Sequence, residues 1–466
     1  GGTNLDEITN ITADAYGNCY VTGFFMSDSL HIGNHTLVNT VFTGYMDTFI
    51  AKYDSSGNCI WATSFGGDDD EFGGGIVTDA DNNLFLTGGS WSYQVHFGSY
   101  TFNNSGPPRM YIIKYDTAGT FHWVSSYSDG GNSGGANIHR DLNDNLYVTG
   151  SFHGQYIIFG NDTLNNPGWN QEIFILKCDT AGNIKWAKSA HGNGQDDIGA
   201  TLLDANSNLV VSGVFYSDSI IFENTVLINS DTINNLGDIF LAKYDTSGNV
   251  LWAKKAGGIS WDTNGGVTCD AGGNIYMSGS FRYPSIDIDT ITLINADTLN
   301  DTDDIFVAKF DSAGNIQWAI RAGSENTDYG TNLSADASGN IYVTGFFESD
   351  SIVLGNTVLA NSGYRDFYLA KLGDITGINK NVPLANSNAV AFPNPFSDIT
   401  TIEFSSSENF TGVTLNLYDV WGREILSKIF SGTKISLNRR GISSGVYCYK
   451  ISNGQKNSWT GKIVIQ

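Results

Sequence analysis

Proline is scarce, at 7 of 466 residues, methionine scarcer still at 4, and 24 basic residues face 48 acidic ones. Each shortage excludes something. Phosphate binding depends on Lys and Arg neutralising the backbone and releasing its counterions, so a net charge of -24 argues against a nucleic-acid partner and equally against an anionic membrane surface. No apolar run reaches the ~18 residues that cross a bilayer, so no membrane span is expected. Helical periodicity is almost absent. The five cysteines (Cys19, Cys59, Cys178, Cys269, Cys448) lie far apart without a Cys-x-x-Cys pair, which leaves no zinc site or disulfide framework legible from spacing. They read as small hydrophobes. No signal-peptide pattern opens the chain at Gly1, and its Gly-Gly start copies the tail of a repeated motif. The numbered chain is therefore expected to begin partway through a longer precursor.

What is plentiful is glycine, at 55 residues, and aromatic side chains, at 13%. That mixture suits many short strands joined by tight turns. The acidity has a bland reading, solubility through self-repulsion, and a sharper one, binding of a divalent cation.

The stretch "IFLAKYDTSGNVLWAKKAGG", Ile239 to Gly258, recurs with variations from Phe49, Tyr111, Phe174 and Phe306. A second motif alternates with it, as in "GNCYVTGFF" from Gly17 and "GNIYVTGFF" from Gly339; its glycines Gly23, Gly88, Gly150, Gly213, Gly279 and Gly345 are separated by 65, 62, 63, 66 and 66 residues. Six copies fit before position 375. Self-similarity at this period signals a repeat architecture. Inside one copy, "ATLLDA", "NLVVSGVF", "DIFLAKYD" and "NVLWAKKA" read as four strands. Asp-x-x-Gly-Asn, as in Asp245 to Asn249, is a hairpin turn in which Asp bonds backbone amides and Gly accepts a positive φ. Repeated four-stranded antiparallel units can hide their edges by stacking radially, so the expected fold is all-β, a six-bladed β-propeller. Trp61, Trp123, Trp186, Trp252 and Trp318 hold one equivalent place in the last strand and are expected to fill the wedge between blades, each burying ~200 Å². The sixth copy has no tryptophan strand, and residues upstream of Gly1 are expected to complete it.

These units resemble the SBBP-type β-propeller repeat, marked by Gly-Asn-x-Tyr-Val-Thr-Gly, then Ala-Lys-Tyr-Asp-x-x-Gly-Asn, then Gly-Gly. The resemblance covers nearly all of residues 1–374 and implies a fold rather than an activity, since propellers host binding, adhesion and catalysis alike.

Composition changes after a linker at 375–388. From Phe392 onward eight basic residues face five acidic ones, a net +3 against -27 for everything before. That is a domain boundary. Residues 389–466 alternate apolar and polar residues in about seven short runs, which predicts a small Ig-like β-sandwich. "FPNPFSD", Phe392 to Asp398, is expected to be extended, because each proline restricts its predecessor. The segment resembles the type A sorting domain of the type IX (Por) secretion system of Bacteroidota. The matching residues are Pro393, Asn394 and Pro395, then Leu417-Tyr418-Asp419 with Gly422 and Arg423, then Gly445, Val446 and Tyr447 leading to Ile451, and finally Lys462; Trp421 departs from the pattern. The resemblance implies partners in the type IX translocon and its outer-membrane shuttle, and a location at the outer-membrane surface or outside the cell.

Candidate chemistry is thin. Asp6, Glu71, Asp196, Asp262 and Asp328 fall at one matching loop position in five of six copies, and carboxylates beside glycine carbonyls are the oxygen-rich environment calcium takes. Calcium is the one cofactor expected as possible. The strand-ending Asp14, Asp79, Asp141, Asp204, Asp270 and Asp336 occur in every copy, so their role is expected to be structural. No unique acid pair, Gly-x-Ser-x-Gly, His-Glu-x-x-His or phosphate loop is present, so no catalytic residue is assigned. Asp followed by Ser or Thr and a small or aliphatic residue occurs at Ser29, Thr117, Thr163, Thr180, Ser219, Thr232, Thr290, Thr298, Ser312 and Ser351. This looks like the O-glycosylation sequon of Bacteroidota surface proteins, although Asp-Ser and Asp-Thr are also ordinary turn pairs. The expected function is a non-catalytic surface propeller whose loops bind a glycan or a protein. The alternatives are a polysaccharide-acting enzyme, with the nonrepeated Trp91, Trp169 and Trp261 near its site, and a structural fibre subunit.

Overall fold

Each repeat is organised by its turns. Asp245 Oδ1 accepts the amides of Ser247 and Asn249 at 2.8 and 2.9 Å, its Oδ2 accepts Asn249 Nδ2, and Gly248 adopts φ +85°. A register shift falls beside the turn, between Lys243 and Tyr244. Asp14, Asp79, Asp141, Asp204 and Asp270 hold their own turns through the same bonds. For Asp14, bonds from Asn18 and Tyr16 hold the carboxyl below its usual range although burial works against them. The structural role expected of the strand-ending aspartates is met here.

The computed structural model describes residues 1–41, 44–103, 109–128, 130–234, 236–282, 284–297, 300–354, 357–372, 389–404, 412–419, 423–452 and 458–465. Its regular elements are all strands, paired antiparallel, with no helix among the described residues. Two compact units divide the chain: Gly1–Gly339 with Val343–Phe346, and Asn340–Tyr342 with Phe347–Gln466.

In the third repeat, Ser133–Arg140, Asn145–Phe152, Glu172–Asp179 and Ile184–Ala190 form a four-stranded meander in sequence order, the pattern of the first five repeats. The expectation of four strands per unit needs a correction. Each repeat carries an additional two-stranded hairpin between its second and third meander strands, such as Ser219–Phe222 with Thr225–Ile228. This hairpin reaches to the preceding repeat: Gly66 pairs with His96, and Gly257 with Asp287. Gly1 exchanges backbone bonds with His31 at the corresponding place, 3.0 and 3.3 Å. An asparagine after the hairpin pins the next loop: Asn229 Nδ2 donates to Phe215 O and Leu236 O, and Asn295 Nδ2 to Phe281 O and Thr302 O.

Successive repeats meet along their first strands, which approach to backbone contact. A β carbon on Gly135 would lie 1.8 Å from Thr87 Oγ1 of the preceding repeat, so only glycine fits there. Side chains then cross the seam: Thr9 Oγ1 donates to Gly73 O at 2.8 Å and Asn137 Nδ2 to Gly199 O at 2.9 Å. The repeated tryptophans also bridge repeats. Trp186 and Trp252 donate their indole N–H to Thr246 O and Ser312 O in the next repeat's turn, each at 3.3 Å. The lysine of Ala-Lys-Tyr-Asp is a second bridge: Lys243 Nζ lies 2.8 Å from Asp204, both side chains under 5% exposed, and also donates to Ser312 O. Buried apolar side chains fill the space between, as in the cluster of Tyr147, Ile173, Phe215, Phe222 and Phe240.

In the second unit, Ala389–Phe392, Ile399–Phe404 and Lys434–Asn438 make one sheet, and Glu424–Phe430, Val413–Asp419, Gly445–Ser452 and Ser458–Ile465 make another. Residues from both share one core, including Ile402, Leu415, Leu437, Tyr449 and Ile463. The seven strands agree with the number expected. The linker 375–388 lies outside the described residues.

Candidate functional site

In an antiparallel meander, the start of strand one, the end of strand two, the start of strand three and the end of strand four share one end of the sheet. The register of the third repeat has this form, with Ser133 opposite Phe152, Phe152 opposite Glu172, and Ile173 opposite Ala190. The Asp-led turns occupy the other end, with Gly at their fourth position in most copies and Asn82, Asp144 or Ser207 taking the same positive φ in three. The first end is where the copies differ. The second residue of strand one is Glu7, Phe72, Gly134, Asp197, Thr263 or Tyr329, and the residue just after strand two is Met26, Trp91, His153 or Tyr216, with Arg282 ending that strand in the fifth copy. The nonrepeated tryptophans belong to the same end: Trp91 follows strand two, Trp169 precedes strand three and Trp261 precedes strand one, with exposures of 39%, 58% and 43%. Trp261 packs edge to face on Tyr216, ring centroids 5.8 Å apart.

Below this rim lie the five acids read as calcium candidates, each opening the first strand of its repeat. Glu71, Asp196, Asp262 and Asp328 are buried, and Asp6 is half-buried. Their bonds are local. Asp6 accepts the amide of Gly2, Asp262 that of Gly258 and Asp328 that of Ser324; Glu71 accepts Ser90 Oγ and Asp196 accepts Ser217 Oγ. Across each seam they meet a carboxylate of the preceding repeat, Asp47 beside Glu71 and Glu172 beside Asp196. Burial pushes these carboxyls up, Glu71 and Glu172 to about 8 and Asp196 to about 7, with smaller contributions from Asp47 at Glu71, Asp196 at Glu172 and the adjacent Asp197 at Asp196. Asp47 is raised to about 6 by burial alone, against bonds from Thr40. Among the described residues no group of three or more His, Cys, Asp or Glu is placed to hold a metal ion. The five acids stand one to a repeat rather than together.

Nine of the ten Asp-Ser/Thr positions are described, and all nine are exposed or half-buried; Thr298 lies outside the described residues. Several also serve the fold. Thr117 and Ser312 are the carbonyls that receive a tryptophan N–H, while Ser29, Ser219 and Ser351 begin outer hairpins. All five cysteines are free.

The C-terminal motif residues gather by a different logic. Asn394 Nδ2 donates to Lys462 O at 2.9 Å and its Oδ1 accepts Val464 N at 2.7 Å, clipping Pro393-Asn394-Pro395 to the last strand. Both peptide bonds preceding these prolines are cis. Arg423 bonds Asp419 through Nε at 2.8 Å, Asp419 pairs with Tyr447, and Tyr447 OH donates to Ser443 O. Gly445 opens that strand, and Gly422 lies outside the described residues.

Residues 390–466 match the secretion system C-terminal sorting domain, and residues 317–345 match the SBBP β-propeller repeat. The chain ends in a type IX sorting domain. That domain marks it as cargo for export to the cell surface or the extracellular space. The chain is 24% identical over 460 residues to an uncharacterized WD repeat-containing protein of Acanthamoeba polyphaga mimivirus, covering 81% of this chain and 32% of that one. It is 24% identical over 266 residues to an endo-acting ulvan lyase of Formosa agariphila, 55% of this chain and 42% of the lyase. The chain thus spans less than half the length of either relative. Among solved structures it is similar to PorZ, a surface component of the type IX secretion system of Porphyromonas gingivalis, at 11% identity and TM-score 0.15, covering 99% of this chain and 82% of that one.

The sequence did not foretell the outer hairpins, the pinned asparagines or the lysine bridges. The hairpins had a signal: "SLHIGNHTLV", "QVHFGSYTFN" and "SIVLGNTVLA" each set a turn pair between two short alternating runs.

Proposed function

We propose that this protein is a six-bladed β-propeller carried to the cell surface by its sorting domain, where it acts as a non-catalytic binding module. The observation that supports this is the division of its sheet ends. Asp-led turns that recur in most copies build one end, and the rim of the other, above its recurring acids, carries positions that differ from copy to copy, with three exposed tryptophans among them. A scaffold that repeats its supports and varies its rim is arranged for recognition. The sorting domain engages the type IX translocon and outer-membrane shuttle, and the exposed Asp-Ser/Thr positions are available to O-glycosylation. The test is a glycan and surface-protein array probed with the full chain, in calcium and in chelator. Binding lost on Trp91→Ala or Trp261→Ala supports the reading, loss in chelator adds calcium to it, and a blank array in both buffers opposes it.

A second reading, a polysaccharide-acting enzyme, is favoured by the same tryptophans sharing one end, the arrangement such an enzyme would need. Release of reducing ends or unsaturated products from a polysaccharide panel would select it.

A further inference from the structure

Three of the nonrepeated positions, Phe72, Gly134 and His153, share one recess. A cavity of about 480 Å³ opens among the first strands of the first four repeats, within the ~300–1,000 Å³ range of small-ligand sites. Phe72, Asn10, Asn132, Asn137, His153 and Gln171 are among the side chains that line it. No Asp, Glu, Lys or Arg is among the described residues that line it, in a chain with 48 acidic side chains. A phosphate, sulfate or uronate finds no counterion there, and Asp197, a carboxylate in contact with the lining, already accepts Gln171.

The lining is chemically coherent. Each carboxamide carries both donor and acceptor, which matches neighbouring hydroxyls that are themselves both. Several groups are held in place: Asn137 donates to Gly199 O at 2.9 Å, Gln171 donates to Asp197, and His153 Nδ1 donates to Asn132 O at 2.8 Å. Phe72 is half-buried with its ring set over two glycines. A β carbon would come within 2.3 Å of it at Gly89 and 3.1 Å at Gly134. The glycines leave the aromatic ring room at the recess, where it can stack on the C–H face of a pyranose.

We infer that this recess binds a neutral saccharide, with Phe72 as the stacking platform and Asn10, Asn132, Asn137, His153 and Gln171 reading its hydroxyls. The assignment rests on the reading of the chain as a binding module. It places the ligand in the recess, while the exposed tryptophans stand elsewhere on the same end.

The experiment is calorimetric titration of the full chain with maltotriose, cellotriose, laminaritriose, mannotriose and N-acetylchitotriose, beside trigalacturonate as the charged control. Binding of at least one neutral trisaccharide is expected, at least tenfold tighter than trigalacturonate. Phe72→Ala and Asn132→Asp should each weaken it tenfold or more, whereas Tyr16→Ala, in an exposed turn at the opposite end of the sheets, should leave it unchanged. Asn132 is exposed, so Asn132→Asp tests the recess even if Phe72→Ala disturbs the fold. Absence of binding by all five neutral sugars overturns the assignment. So does binding that survives both recess variants, or binding of trigalacturonate alone. If the array of surface proteins and glycans still retains the chain in those cases, the binding-module reading stands and only the recess falls; a blank array removes both.

Discussion

Glu71 is the sharpest probe of how the repeats are joined. Its side chain is fully buried at the seam between the first two repeats, where Oε1 accepts Ser90 Oγ at 2.8 Å and bonds from Ser92 and the Gly67 amide also favour the charged form. Burial, with the field of Asp47, lifts its carboxyl from 4.5 to about 8. A raised acid contributes fully below its unfolded value, and that contribution is lost as pH rises through the folded value. The window therefore runs from about 4.5 to about 8, with stability falling as pH rises. At 1.36 kcal/mol per unit, full deprotonation costs on the order of 5 kcal/mol. Glu71→Gln keeps an acceptor for Ser90 and removes the titration. Urea unfolding at pH 5 and pH 9 should find the variant close to the parent at pH 5 and more stable by roughly 2–4 kcal/mol at pH 9, that maximum lowered for relaxation of the site. An equal difference at the two pH values would refute the reasoning.

Three further outcomes are expected. Lys243→Met removes one member of the buried pair with Asp204 and should lose about 3 kcal/mol in denaturant unfolding; a loss below about 1 kcal/mol would mean the pair is not excluded from solvent. Gly135→Ala forces a β carbon onto Thr87 Oγ1 and should cost about 1–3 kcal/mol, part of which Thr87→Ala in the same chain restores; additive losses would place the strain elsewhere. Asn394→Ala breaks both bonds that clip Pro393-Asn394-Pro395 to the last strand, worth about 1–3 kcal/mol together. Surface fractionation should then find less exported chain, and unchanged export with unchanged melting would show that the clip is not part of the sorting signal.

Much of the architecture is written locally. An Asp-x-x-Gly-Asn turn closes through bonds spanning two to four residues, so its chemistry is visible in any five-letter window, and its recurrence counts the repeats. The same holds for the tryptophan strand and for the change of charge near residue 389. The candidate site was legible only in outline. Trp91, Trp169 and Trp261 stand out because they break the repeat, but Phe72, Asn132 and Gln171 look ordinary in one dimension.

The all-β repeat, its turns and its export address can be read along the chain. The tertiary structure decided everything that depends on one repeat meeting the next. Asp6, Glu71, Asp196, Asp262 and Asp328 follow glycine-rich loops and resemble solvated ligands, yet four of them are buried, because an acid at a strand start faces water or a neighbouring strand according to what packs beside it. Glycines such as Gly135 look like flexible links and are instead contact points, since only the approach of a strand 48 residues upstream at Thr87 requires them. The recess has the same origin: its lining comes from four repeats, and no local pattern records which side chains a stack of sheets will bring together.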